Sequence, residues 1–219
     1  MDYSFLSDTL LFRGTSREEI ESMLGCLGAS VKRYEKGQTI LRAGEPATSM
    51  GLVLAGGAHI ESDDVWGNRS ILAHVGPGQL FAETYACIPG EALLVNVIAA
   101  EKSEVLFLQA SRLLSTCGNA CAYHNRLIAN LLQICARKNL ELSRRILHTG
   151  ARSIRGRLLS YLSEQAKLTG SFEFSIPFNR QQLADYLGVD RSALSNELSK
   201  MRAEGLLRCE KNAFSLRQP

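Results

Sequence analysis

The amino-acid sequence predicts an α+β chain with a β-rich front half, one long helix, and a back half of helices closed by a small hairpin. Three observations carry this expectation. Between about Ser30 and Gln109, short β-type runs alternate with glycines, the texture of a sandwich or barrel. Residues 118–148 repeat apolar side chains at heptad spacing. Residues 179–204 read as two capped helices around a tight glycine turn. The corresponding division is 1–117 for a β domain, 118–148 for the long helix and 149–219 for the helical back half.

Each element follows from its residues in order. Residues 4–28 hold two short helical patterns, the second opening at Thr15-Ser16-Arg17-Glu18-Glu19, where a hydroxyl caps and carboxylates face the positive helix start. The β-type runs are Thr39–Leu41, Gly51–Leu54, His59–Glu61, Ser70–His74, Leu94–Ala99 and Glu104–Leu108. In the long helix, Cys121, Asn125, Ile128, Leu132, Cys135, Asn139, Leu142 and Ile146 fall at alternating steps of four and three. A seam so sustained predicts a parallel pairing of two copies rather than a helix lying along its own domain. Asn139 and Asn125 are polar seam positions that fix register at some cost in stability. Gly150 ends the helix amid a basic cluster of Arg144, Arg145, Arg152, Arg155 and Arg157. A helix carrying Leu158, Leu159, Tyr161 and Leu162 follows, then a strand alternating Phe172, Phe174 and Ile176 before Pro177. Leu206–Leu216, with a turn at Lys211-Asn212, reads as a hairpin, so the back half forms a winged helix.

Residues 179–204 carry the chemistry. Asn179 and Gln182 have capping-box spacing, and Leu183, Ala184 and Leu187 make the inner face of the first helix. Gly188 permits the turn, Asp190 caps the second helix, and Ala193, Leu194, Leu198 and Met201 form its inner face. The outer face presents Arg191, Ser192, Ser195, Asn196, Lys200 and Arg202, groups that bond base edges and phosphates. Such a helix pair also occurs in proteins that never meet nucleic acid; charge distribution decides between the two. Residues 1–120 carry nine Lys and Arg against fourteen Asp and Glu, net −5, whereas residues 121–219 carry sixteen against eight, net +8. The basic half is the one suited to phosphates.

Composition excludes other classes. At 219 residues, 45% hydrophobic and 21% charged, the chain can bury a core and is not disordered. No apolar run approaches the roughly 18 residues of a membrane span, and MDYSFLSDTL is acidic, unlike a signal peptide; a cytoplasmic protein with no membrane partner is expected. Six scattered cysteines without a CxxC pair predict reduced, packed thiols. His59, His74, His124 and His148 stand far apart, and no GxSxG or phosphate-cradling glycine loop occurs, so no enzyme is expected. A pure ligand-binding module would leave the basic helix pair unexplained.

Three segments together resemble the cyclic-AMP receptor protein/fumarate-nitrate regulator (CRP/FNR) family across nearly the whole chain. Lys36-Gly37-Gln38-Thr39-Ile40, Gly44-Glu45-Pro46 and Gly51-Leu52-Val53-Leu54-Ala55-Gly56 are similar to the opening of its β-roll. Gly78-Gln79-Leu80-Phe81-Ala82-Glu83 is similar to its ligand cassette, and the long helix leads into Asp190-Arg191-Ser192-Ala193-Leu194-Ser195. The resemblance implies a cyclic-nucleotide-binding-like, cupin-like β-roll (a double-stranded β-helix), a dimerisation helix and a winged helix-turn-helix. It implies a bacterial homodimeric transcription regulator that binds double-stranded DNA at a palindromic operator and responds to a small-molecule effector. For an activator, RNA polymerase is a further partner.

Carried over by position, the resemblance assigns base contacts to Arg191, Ser192, Ser195 and Asn196, and phosphate contacts to Arg180 and Lys200. Many members have Arg where this chain has Asn196, and Glu where it has Ser192. Arginine forks onto guanine whereas asparagine pairs with adenine, so a half-site richer in A·T is expected. The dimer seam is expected at Ile128, Leu132, Cys135, Asn139, Leu142 and Ile146. An effector pocket is expected among Leu80, Phe81, Ala82, Glu83, Tyr85, Leu93 and Leu94.

The departures concern the effector. Members that bind cyclic AMP hold its phosphate with an Arg-Ser pair about ten residues beyond the cassette glutamate. Here those positions fall near Leu93 and Leu94, and residues 84–100 contain no Arg or Lys. An unpaired charge in a low-dielectric pocket costs several kcal/mol, so cyclic AMP is not the expected effector. An uncharged or aromatic ligand suits the pocket better. Cys26 alone lies near the N-terminus, so the four-cysteine cluster of oxygen-sensing members is not expected. His74 and His124 are haem ligands by type only, and a surface or hydrogen-bonded role is the stronger reading. Cys117 and Cys121 flank the start of the long helix, where a thiol is activated; a thiol- or metal-based redox sensor is the alternative, against two packed thiols. No cofactor is assigned.

Overall fold

The computed structural model describes residues 2–63, 66, 69–115 and 122–217. The chain divides into two compact units, Met1–Arg137 and Lys138–Pro219.

The first unit opens with α1 (Tyr3–Asp8), capped by Asp2, and α2 (Arg17–Cys26), capped by Ser16 in a reciprocal box with Glu19. Strands follow: β1 (Ser30–Tyr34), β2 (Thr39–Leu41), β3 (Ser49–Ala55), β4 (Ala58–Asp63), β5 (Arg69–Val75) and β6 (Leu80–Phe81). After the short α3 (Glu83–Ala86) come β7 (Asn96–Ala99), β8 (Ser103–Gln109) and α4 (Ala110–Leu114). The long α5 (Ala122–Thr149) begins in this unit and ends in the second.

The strands form two antiparallel sheets, β1-β8-β3-β6 and β2-β7-β4-β5. Between them lies a core that includes Val53, Val75, Phe81, Val97, Val105 and Phe107. Side chains alternate across a strand, so Leu52, Leu106 and Leu108 face the other way, into a second core with Leu6, Phe12, Ile20 and Leu113. Strands β3 and β8 are therefore covered on both faces, which is why they read as continuous apolar runs. Gly51 and Phe81 are cross-strand partners, and the Phe81 ring occupies the space a Cβ at position 51 would need. At the cassette, Ala82 adopts a left-handed backbone with φ 58°, a conformation costing roughly 1–2 kcal/mol for a residue with a Cβ.

The second unit continues from α5 through α6 (Ile154–Thr169), β9 (Glu173–Ser175), α7 (Arg180–Leu187), α8 (Arg191–Ala203), β10 (Leu207–Glu210) and β11 (Ala213–Leu216). A small antiparallel sheet, β10-β11-β9, closes a core of Leu158, Leu162, Leu183, Leu194, Leu198 and Phe214 among others. This architecture of β-roll, long helix and winged helix-turn-helix is the α+β fold the sequence predicts. No described helix is long and apolar enough to cross a membrane.

Local differences have local causes. The strand expected at Leu94–Ala99 starts at Asn96, because Leu93 instead exchanges backbone bonds with Gly44 and Glu45. Strand β1 was not anticipated; its burial is almost uniformly exposed, so it carries no alternating pattern. Helix α5 buries Leu127, Leu131 and Ile134 against its own unit, one position before each of three seam residues.

Candidate nucleic-acid interface

The turn between α7 and α8 is built by its caps. Asn179 Oδ1 accepts from Gln182 N and Gln182 Oε1 accepts from Asn179 N, both at 2.9 Å. Gly188 ends α7 in a left-handed conformation with φ 62°, which only glycine adopts without strain. Asp190 then caps α8, accepting from Ala193 N at 2.9 Å and from the Ser192 hydroxyl at 2.5 Å. Those bonds, the Ser192 hydroxyl first, hold the Asp190 carboxyl below its ordinary range. A carboxylate at this end also faces the positive end of the helix dipole.

Helix α8 buries Leu194, Leu198 and Met201. At about 100° per residue, the opposite face presents Ser192, Asn196, Ser199 and Lys200, all exposed. Arg191 is exposed at the helix start. Ser195 is half-buried and donates to the Arg191 carbonyl at 2.9 Å. Of the four residues expected at bases, Arg191 and Asn196 present their heads outward, while the two serine hydroxyls are engaged locally.

Arg180, the first residue of α7, lies with its Cζ 5.2 Å from the centre of the Phe214 ring in β11, close enough for a cation–π contact. It lines a cavity of about 620 Å³ together with Arg191 of α8 and Lys211 of the hairpin turn. Asn179, Gln181 and Asn212 supply amides to the same wall. Three cations thus arrive on one concavity from three elements. Lys211 was missed by sequence reasoning; its φ of 50° marks a tight turn but gives no direction. Ser199 and Arg202 line a second cavity of about 1130 Å³ between α8 and the β10-β11-β9 sheet; Ser199 was also missed, although its helix position alone places it outward.

Four of the five arginines clustered around the end of the long helix are engaged inside the unit. Arg144 Nε lies 3.4 Å from Glu164 Oε1. Arg145 donates to the carbonyls of Asp185 and Tyr186, both at 3.2 Å. Arg157 donates to the carbonyls of Ala151, Leu187 and Gly188 at 3.0, 2.9 and 3.0 Å. Arg155 bonds Glu197 and Glu204. Buried His148 meets Glu164 at 2.8 Å through Nε2 and shares a 2.8 Å hydrogen bond with the Tyr186 hydroxyl through Nδ1. The Tyr161 ring stands edge-on to it, and burial pushes that phenol up to about 12.

On the sensor side, Leu80, Phe81, Glu83 and Leu93 are buried, Ala82 and Tyr85 half-buried, and Leu94 76% exposed. Leu94 is therefore a surface side chain, and the others are not brought to one wall. Leu80 packs into the core with Leu6 and Leu52, and Phe81 into the core with Val53 and Phe107, because neighbouring strand residues face opposite sides. His74 packs edge-on against His59 with ring centres 5.3 Å apart, and His124 is buried. Burial pushes the Cys87 thiol up, helped by Cys135 and Glu83, the opposite of an activated thiol. Cys117 and Cys121 lie outside the described residues. Along α5, Leu132, Leu142 and Ile146 are 68, 62 and 68% exposed. Ile128 and Cys135 are half-buried against the first unit's core, and exposed Asn139 accepts from Ser143.

Two family models match the chain. The cyclic nucleotide-binding domain covers residues 31–119 and the Crp-like helix-turn-helix domain covers residues 156–219. The chain is 22% identical over 182 residues to the cAMP-activated global transcriptional regulator CRP of Haemophilus influenzae, spanning 80% of this chain and 78% of that one. It is 24% identical over 208 residues to the cyclic AMP receptor protein of Thermus thermophilus, spanning 95 and 92%. Its fold is similar to that of CprK complexed with OCPA, with a TM-score of 0.64 at 17% identity over 90% of this chain and 92% of that one.

Proposed function

This chain belongs to the CRP/FNR family of transcription regulators, and from that premise we propose that it acts as a homodimer on a palindromic operator, under control of an effector other than cyclic AMP. The observation that carries the reading is the convergence of Arg180, Arg191 and Lys211 on one cavity beside the outward face of α8. A phosphate seated beside Arg180 and Lys211 leaves Arg191 and Asn196 to meet base edges in the major groove. Arg191, Ser192, Ser195 and Asn196 are assigned to bases, and Arg180 and Lys200 to the backbone, with Lys211 added. Supporting the dimer, Leu132, Leu142 and Ile146 form an exposed apolar line on α5, a surface that a second copy of the same helix covers. In a parallel pair, the two winged helices meet half-sites one DNA turn apart, roughly 34–36 Å.

The effector reading rests on charge. The cassette glutamate Glu83 is buried, and no Arg or Lys occurs from 84 to 100. A cyclic phosphodiester entering there would sit beside a carboxylate without a cation from that segment. The cassette side chains Leu80, Phe81, Ala82, Tyr85 and Leu93 are apolar or aromatic, a chemistry suited to an uncharged or aromatic ligand. Effector binding then shifts a two-state equilibrium between packings of the α5 pair.

Binding-site selection from genomic fragments with the purified protein tests the reading. The expected product is a palindrome whose half-sites are richer in A·T than the family's guanine-containing core. Recovery of no motif overturns DNA reading, and recovery of the guanine core overturns the role given to Asn196. Calorimetric titration with cyclic AMP is expected to stay flat; a saturable micromolar isotherm overturns the effector reading.

A further inference from the structure

We propose that Arg155 acts on DNA recognition without touching DNA, as a positioning residue that fixes one edge of α8 and masks two carboxylates on it from the phosphate backbone. The proposal rests on α8 being the helix that faces DNA.

Arg155 stands in the first turn of α6. Its Nε donates to Glu197 Oε1 at 2.6 Å, and its Nη1 and Nη2 donate to Glu204 Oε2 and Oε1 at 2.8 and 2.7 Å. One guanidinium therefore holds two carboxylates, one of them by both oxygens. Glu197 and Glu204 are seven residues apart, close to two helical turns, so they share an edge of α8. By the same rotation, that edge lies between the buried stripe of Leu194, Leu198 and Met201 and the outward position of Lys200. Two carboxylates on the flank of a helix that enters the major groove would repel the phosphates on that side. Pairing them with one guanidinium halves the charge on that flank and so weakens the repulsion. The Arg155 hydrogen bond is also the leading cause holding the Glu204 carboxyl below its ordinary range.

The geometry requires arginine. A planar fork reaches three oxygens on two side chains at once, whereas a lysine ammonium is a point donor on a flexible stem. Arg144 pairs with Glu164 of α6, not with a carboxylate of α8. Arg145 and Arg157 donate to backbone carbonyls, so they tie helices together without changing the charge that α8 shows to a ligand.

The test compares the native protein, Arg155→Ala, and Arg155→Ala combined with Glu197→Gln and Glu204→Gln. Each is titrated by fluorescence anisotropy against a mixed-sequence duplex of about 30 base pairs, long enough for two half-sites one turn apart, over a series of salt concentrations. Arg155→Ala is expected to weaken binding about tenfold at low salt, the deficit shrinking as salt screens the exposed carboxylates. The triple variant is expected to recover to within about threefold of native. A slope of log K against log salt that stays smaller than native by about one in the triple variant would mean that Arg155 itself neutralises a phosphate, and a triple variant as weak as Arg155→Ala would mean that masking is not its role; either overturns the proposal. Native-like binding by Arg155→Ala overturns it as well, leaving DNA reading intact. Failure of the native protein to bind the duplex removes both. Should Arg155→Ala not fold, as judged by its thermal transition, Arg155→Gln is carried through the same series.

Discussion

The two units hold their elements together by different means. In the sensor unit, backbone hydrogen bonds cross from strand to strand, and two apolar layers press on β3 and β8 from both sides. In the reading unit, each helix closes its own backbone bonds internally, so helices must be fastened to one another by side chains. Arg145 ties α5 to α7, His148 ties α5 to both α6 and α7, and Arg155 ties α6 to α8. The difference teaches where each unit is sensitive. Sensor geometry depends on shape and volume, and reader geometry on charge and ionisation.

The largest expected effect breaks the sensor by volume. Gly51→Leu drives a side chain into the Phe81 ring and should cost about 3 kcal/mol, read as a lower thermal midpoint that salt does not restore. A negligible loss would show that the sheet yields easily and would spoil the contrast. Next, His148→Ala leaves Glu164 and the Tyr186 hydroxyl without their buried partner. A loss of about 2 kcal/mol is expected in urea unfolding, reported by tyrosine fluorescence, since Tyr161 and Tyr186 flank the site.

Arg180→Ala with Lys211→Ala should leave the thermal midpoint in place while lowering the salt slope of DNA binding by about two. An unchanged slope would remove both from the phosphate contacts. The smallest effect is with acid. Asp190 and Glu204 have carboxyls depressed in the folded state, so their stabilisation is present above the ordinary carboxylate range near pH 4. It is lost as pH falls through the depressed values. Glu18 at the start of α2 is depressed as well, so the helical signal is expected to weaken with acid before the strand signal, followed by circular dichroism. The reverse order would undo the comparison.

The same contrast explains what could be read in advance. Caps and turns are local: Asn179, Gln182, Gly188 and Asp190 announce themselves within a dozen residues, and all act as their spacing implies. Apolar strand runs were legible because β3 and β8 are buried on both faces. What escaped was long-range or unpatterned. Arg155 sits in a run of arginines that reads as one basic patch, yet its partners stand 42 and 49 residues away. The heptad spacing of apolar residues on α5 was visible, whereas the adjacent buried stripe Leu127, Leu131 and Ile134 was not, because a helix apolar on two sides shows no single period. Lys211 reached the proposed phosphate cavity through a turn whose direction no local rule specifies.

Gly51 and Phe81 have a consequence for descent. The ring fills the place where a side chain at 51 would stand, so a larger residue at 51 is tolerated only after the ring has shrunk. A smaller residue at 81, arriving first, opens a void beneath an otherwise intact strand. Neither position can drift alone without a loss, and the two should change as a pair, thirty residues apart in sequence and directly opposite in the sheet.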